Sequence, residues 1–148
     1  MKISVFAALL VPILFIFSLE PVSGSDTPEK DVLLPSCPDR PNCVSSLAAD
    51  PARRVEPFPL RGAAGESMEH LLGIIRSMPR SRVTSADRNG IRAEFRSLLG
   101  FVDDLQFALS ADRNQIHVRS AARSGYWDLG VNRRRVERIR RKYLENRE

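Results

Sequence analysis

Between Arg119 and Glu137 the sequence RSAARSGYWDLGVNRRRVE gathers five arginines, two carboxylates, an asparagine, two glycines and a Tyr-Trp pair. Guanidinium groups present paired N–H donors that match phosphate, sulfate or carboxylate, so the chemistry open to this stretch is anion recognition. Arg119, Arg123, Asp128, Asn132, Arg133 and Arg135 are the candidate ligand-binding residues. Catalysis has a thinner basis. Asp103 and Asp104 are adjacent, and neighbours in a strand point to opposite faces, so they do not converge as the two acids of a glycosidase would. Asp103 alone is left as a candidate catalytic acid or base. Ser45, Ser46 and Ser124 have no histidine evidently placed to activate them, and the sequence contains no Gly-x-Ser-x-Gly elbow and no glycine-rich phosphate loop. His70 and His117 fall at no metal-ligand spacing, so neither a metal nor a cofactor is expected. The balance leans away from an enzyme.

The elements that must position these residues follow from local patterning. From Phe101 to Leu109, Phe101, Leu105, Phe107 and Leu109 alternate as one face of a strand, and period two places Asp103 on that same inward face. A buried carboxylate without a partner costs several kcal/mol, so Asp103 must meet an arginine or line a polar pocket. Ile116 to Ala122 forms the next strand, with Ile116, Val118 and Ser120 inward; pairing Leu109 with Ile116 sets Arg119 diagonal to Asp104 and Arg123 beyond Asp103. Gly125 and Gly130 bracket a sharp loop in which one of Tyr126 and Trp127 is expected to cap the core and the other to be exposed. Asn132 then reads as the N-cap of a final helix, with Val131 and Val136 as a staple around it and Val136, Ile139, Tyr143 and Leu144 as its buried stripe. Arg133, Arg134 and Arg135 sit at the helix end that repels cations, at a cost of about 0.3–1 kcal/mol each if exposed. Two compensations are open: ion pairs with Asp103, Asp104 and Asp128 that knit the helix to the sheet, or a bound anion at the helix N-terminus.

Upstream, Met68, Leu71, Leu72, Ile75 and Met78 follow the rhythm of one buried helical stripe, which Pro79 ends, and His70 lies off it toward solvent. Val83–Asp87 and Ile91–Ser97 read as a hairpin around Arg88-Asn89-Gly90, with Gly90 left-handed and Val83 opposite Phe95. The proline-rich stretch from Val32 to Pro59 is expected to run extended over the surface, with a short edge strand within Val55–Leu60. The fold class is α+β: an antiparallel four- to five-stranded sheet with two helices packed on one face.

The N-terminus is different in kind. Met1-Lys2 and the uncharged apolar run Ile3–Leu19 read as a signal peptide over residues 1–24, or an uncleaved anchor, followed by a linker over 25–36 and a single domain over 37–147. The protein is therefore expected to be exported, periplasmic or secreted, with anchoring by the N-terminal segment as the variant. In an oxidising compartment Cys37 and Cys43 are free to form a structural disulfide, the alternative being two unrelated thiols. The formal net charge of +5 is concentrated after Arg133, which invites an anionic partner or makes a solvated basic helix face.

Several stretches resemble a known family: Cys37-Pro38 with Pro41-Asn42-Cys43-Val44-Ser45-Ser46, then Gly100-Phe101-Val102-Asp103-Asp104, then Arg119-Ser120, and finally Gly125 with Asp128-Leu129-Gly130-Val131-Asn132-Arg133 and Arg135-Val136-Glu137. The set is similar to the domain-of-unknown-function 1499 family of bacterial and plastid proteins, over roughly Cys37 to Leu144. Gln106 and Trp127 depart from the family pattern. The resemblance implies the extent of the fold and no established activity, substrate or cofactor.

The functional expectation is a non-enzymatic accessory domain of the cell envelope that binds an anionic group, a lipid headgroup or a polymer, at the arginine-rich strand-to-helix junction. A peripheral membrane contact is compatible with it, and nucleic acid is excluded by compartment. The alternatives are an envelope hydrolase or transferase using Asp103, and a structural domain that docks a protein partner through the basic helix.

Overall fold

The computed structural model describes residues 34–145; the proposed export segment lies outside them. The element order is β1 (Cys43–Ser45), β2 (Phe58–Pro59), α1 (Ala64–Ser77), β3 (Ser81–Ala86), β4 (Gly90–Arg96), β5 (Val102–Leu109), β6 (Gln115–Ala122) and α2 (Val131–Glu145). All pairings in the sheet are antiparallel, in the order β1-β6-β5-β4-β3, with β2 also pairing β6. The sheet thus has six strands, more than the four or five expected. The additional pieces come from the proline-rich segment, which is not merely a surface strap: Val44, Val55 and Phe58 are buried in the core.

The inner face is built by alternation. Ile91, Ala93 and Phe95 of β4, Leu105 and Phe107 of β5, and Ile116 and Val118 of β6 all point inward and are buried. Leu109 pairs with Ile116, as assumed for these two strands. Both helices pack on this face, α1 through Met68, Leu71, Ile74 and Ile75, and α2 through Val136, Ile139 and Tyr143. The ring of Phe58 lies edge-on to Phe107 and Tyr143, with centroids 5.2 and 5.6 Å away. Helix α1 stops because Pro79 restricts the residue before it to extended backbone; Met78 accordingly sits at φ −81°, ψ 140°.

Several local expectations are corrected. The β3–β4 register sets Val83 opposite Ala93 and Ser81 opposite Phe95, with a bulge between Val83 and Ser85. The turn is closed by the Asp87 carboxylate, which accepts from the N–H groups of Asn89 and Gly90 at 2.8 Å, so Gly90 opens β4 and is not left-handed. Phe101 and Leu144 are exposed, since one lies in the β4–β5 turn and the other past the edge of the helical stripe. His70 is half-buried, its ring 5.2 Å from that of Tyr143. The disulfide expected between Cys37 and Cys43, by contrast, is formed.

The last helix is tied down along one side by arginines bonded to main-chain carbonyls. Arg133 donates to the oxygens of Ala52 and Arg54, and Arg140 to those of Glu56 and Pro57, while the Arg140 guanidinium lies 4.3 Å from the centre of the Phe58 ring. Tyr143 completes the seam with a hydroxyl bond to Pro59 O at 2.9 Å. Much of the basic charge in α2 is thereby structural, which no reading of charge along the sequence separates.

Candidate functional site

Asp103 does meet an arginine. It projects inward from β5, and Arg135, one turn into α2, donates to it at 2.5 Å; the two side chains are only 12% and 11% exposed. The same guanidinium stacks over Phe95 at 4.7 Å and donates to Asn132 Oδ1 at 2.7 Å. The Ser120 hydroxyl also donates to Asn132 Oδ1, at 2.5 Å. Asn132 in turn donates from its side-chain amide to Asp128 at 2.9 Å and to the carbonyl of Asn42 at 3.4 Å, and Asn42 donates to Gly125 O. Asn42, Asp103, Ser120, Gly125, Asp128, Asn132 and Arg135 are thus one connected polar network under the start of α2.

Asp128, and not Asn132, caps the helix. Its carboxylate accepts from the N–H groups of Gly130 and Asn132, each at 2.9 Å, and the chain enters α2 through two left-handed residues, Leu129 (φ 55°) and Gly130 (φ 74°). Burial works against the Asp128 carboxylate, but the hydrogen bonds from Asn132 and Gly130 together outweigh it and hold its pKa below the ordinary value. Asn132 is fully buried inside the first turn. Val131 is partly exposed, so no staple closes over the cap, and Tyr126 and Trp127 are both exposed instead of one covering the core.

The remaining candidate residues are drawn elsewhere. Arg123 bonds Asp104 through two nitrogens, at 2.9 and 2.7 Å, and Glu94 at 2.5 Å, on the sheet face away from the helices. Arg119 sits on that face opposite Gln106; burial lowers its pKa, with Asp104 opposing. Arg133 is bonded to carbonyls as described. The six residues grouped by sequence therefore occupy three places, and Asp128, Asn132 and Arg135 are the ones brought together.

A groove of about 550 Å³ opens above the Asp103–Arg135 pair. Its floor is that pair and Phe95. Its rim carries Arg80, Arg96, Arg134 and Arg138, and Met78, Leu98, Leu99 and Val131 supply apolar wall. Among the described residues, the guanidinium groups of Arg80, Arg96 and Arg138 have no carboxylate partner, and Arg134 is bonded only to the carbonyl of Leu129 at 2.8 Å. A second cleft of about 380 Å³, between the disulfide loop and Tyr126–Trp127, differs in this respect. There Arg53 is already paired with Asp39 and Asp50 and Arg133 with carbonyls, which leaves Arg40 as the one lining arginine without such a partner among the described residues. Anion recognition is therefore best served by the first groove. Arg80, Arg96, Leu98 and Leu99 were not distinguishable in the sequence as site residues; the one local signal was a pair of leucines in a glycine turn between arginines.

Catalytic options stay limited. Asp103 is engaged by Arg135, and no histidine or second acid lines the groove. The structure does bring His117 Nδ1 to 3.2 Å from Ser46 Oγ, a contact that the sequence did not reveal. Burial lowers the His117 pKa, against the field of Asp112. The Ser46 hydroxyl is occupied as a backbone partner, accepting from Val118 N at 3.0 Å, and neither residue lines the groove. Among the described residues no group of three or more His, Cys, Asp or Glu is placed to hold a metal, and no helix is long and apolar enough to cross a membrane.

No curated protein matches the sequence. Each stretch on which the family resemblance rests contributes to the network beneath α2: Asn42 from the first, Asp103 from the second, Ser120 from the third, and Gly125, Asp128, Asn132 and Arg135 from the last. A family model matches residues 33–143, and the chain belongs to that family, described as protein of unknown function (DUF1499).

Proposed function

We propose that this protein is a non-enzymatic accessory domain of the cell envelope that binds an anionic group in the groove above Asp103 and Arg135. The observation that carries the reading is the rim: four arginines line a groove whose one carboxylate is already paired with Arg135. Like charges converge there, three of them without a carboxylate or carbonyl partner among the described residues, and an anion with several oxygens relieves their repulsion through charge-assisted hydrogen bonds. Export is supported by the apolar run Ile3–Leu19 and by the Cys37–Cys43 disulfide, which persists in an oxidising compartment.

The test is a thermal-shift titration with inorganic phosphate, pyrophosphate and sulfate at low and at raised salt. An anion at about 100 times its Kd stabilises the fold by about 2.7 kcal/mol. The shift is expected to fall with salt and to disappear in Arg96→Ala combined with Arg138→Ala. No shift with any of these anions, or a shift that survives the double substitution, refutes the groove as the site.

A further inference from the structure

The antiparallel order brings two loops to the same end of the sheet. Strands β4 and β5 close at Arg96 and Val102, and β6 finishes beside them, with Ala122 opposite Asp103 and Arg123 N bonded to Val102 O at 3.0 Å. The β4–β5 turn and the loop from β6 to α2 therefore project together. They hold six of the nine large hydrophobic residues that are exposed in the described part of the chain, and Val131, the first residue of α2, adjoins them. Leu98 and Leu99 stand at the turn tip, 86% and 84% exposed, and Trp127 is 65% exposed in the neighbouring loop.

Concentration at one end is what separates this patch from the scattered apolar residues of an ordinary surface. The turn does not need leucines. Its geometry comes from Gly100 (φ 85°) and from Ser97, whose hydroxyl accepts from Phe101 N at 3.0 Å, so polar residues at 98 and 99 would serve equally well. Arg80, Arg96, Arg134 and Arg138 flank the same tip. Asp103 and Asp128, which lie between the two loops, are hydrogen-bonded within the network beneath α2, and Asp103 is the one carboxylate that lines the groove these arginines surround. Leucines at a tip, a Tyr-Trp pair beside them and arginines around both match the layers of a bilayer surface: acyl boundary, interface and phosphate.

We propose that this end of the domain docks on an anionic phospholipid bilayer. Leu98 and Leu99 enter the acyl boundary, Tyr126, Trp127 and Leu129 lie at the interface, and the groove arginines engage headgroup phosphates. The proposal rests on the anion-binding reading for its electrostatic part and adds an apolar part that the reading does not require.

Trp127 is the sole tryptophan, so its emission reports this end of the molecule directly, whatever the N-terminal segment does. The full chain is mixed with vesicles of phosphatidylcholine alone and of phosphatidylcholine with phosphatidylglycerol. A blue shift on the anionic vesicles, absent on the neutral ones and lost in Leu98→Ser combined with Leu99→Ser, is the expected result. Each rim arginine replaced by alanine should weaken vesicle partition about fivefold at low salt. An unshifted emission on anionic vesicles overturns the proposal, as does a shift unchanged by the double serine variant. A shift that grows with protein concentration without lipid also overturns it, and assigns the face to a second copy of the chain. The same protein titrated with pyrophosphate separates the two readings: a thermal shift there with no emission change on vesicles leaves anion binding standing and removes docking.

Discussion

Asp103 and Arg135 are 32 positions apart, and their 2.5 Å ion pair joins the centre of the sheet to the first turn of the last helix. Both are nearly buried, so the pair is held by geometry that the fold imposes on each partner. Arg135 at the repulsive end of α2 is compensated by this carboxylate and by Asn132 Oδ1.

Removing one partner leaves the other as an uncompensated buried charge. Asp103→Ala should therefore destabilise the fold by about 3–5 kcal/mol in urea unfolding. Asp103→Leu combined with Arg135→Met should recover much of that loss. A single substitution within experimental error of the parent would show that water reaches the pair.

Asp128→Ala removes the helix cap and should cost about 0.5–2 kcal/mol. Its folded-state pKa is depressed, so its contribution is present in full above the unfolded carboxylate value of about 3.9 and is lost as pH falls below that through the folded pKa. The parent should thus lose stability toward low pH more steeply than Asp128→Ala. Parallel slopes in urea melts across that range would contradict the capping role.

Reducing the Cys37–Cys43 bond opens a small loop and should destabilise the domain by about 2 kcal/mol. Asn42 lies inside that loop and carries the bonds to Gly125 O and Ala122 N. Amide exchange at Ala122 should accelerate on reduction if the loop is what positions Asn42, and should not change otherwise.

The arginines divide into two experimental classes. Arg140→Ala removes bonds to two carbonyls and the contact over Phe58, and should cost about 1–3 kcal/mol. Arg80→Ala and Arg138→Ala remove exposed groups without a carboxylate partner, and should stay within about 0.5 kcal/mol of the parent. Equal losses across both classes, measured by thermal unfolding, would erase the distinction between structural and free cations.

What the sequence determined by itself is local and periodic. Alternation placed Asp103 on the inner face with Leu105 and Phe107 and marked Ile139 and Tyr143 as one buried stripe, because strand and helix periods decide side-chain direction without reference to the rest of the chain. Pro79 ended α1 for an equally local steric reason. The tertiary structure decided what depends on distance. Arg133 and Arg140 found carbonyls some 80 residues upstream, Arg123 turned to the opposite face, and Asp128 took the cap expected of Asn132, which was drawn into the core by Ser120 and Arg135. A guanidinium satisfies itself with any acceptor that packing brings within reach, so its partner is a property of the assembled fold. The same holds for Leu98 and Trp127, whose exposure follows from the absence of any element packed over that end of the sheet among the described residues.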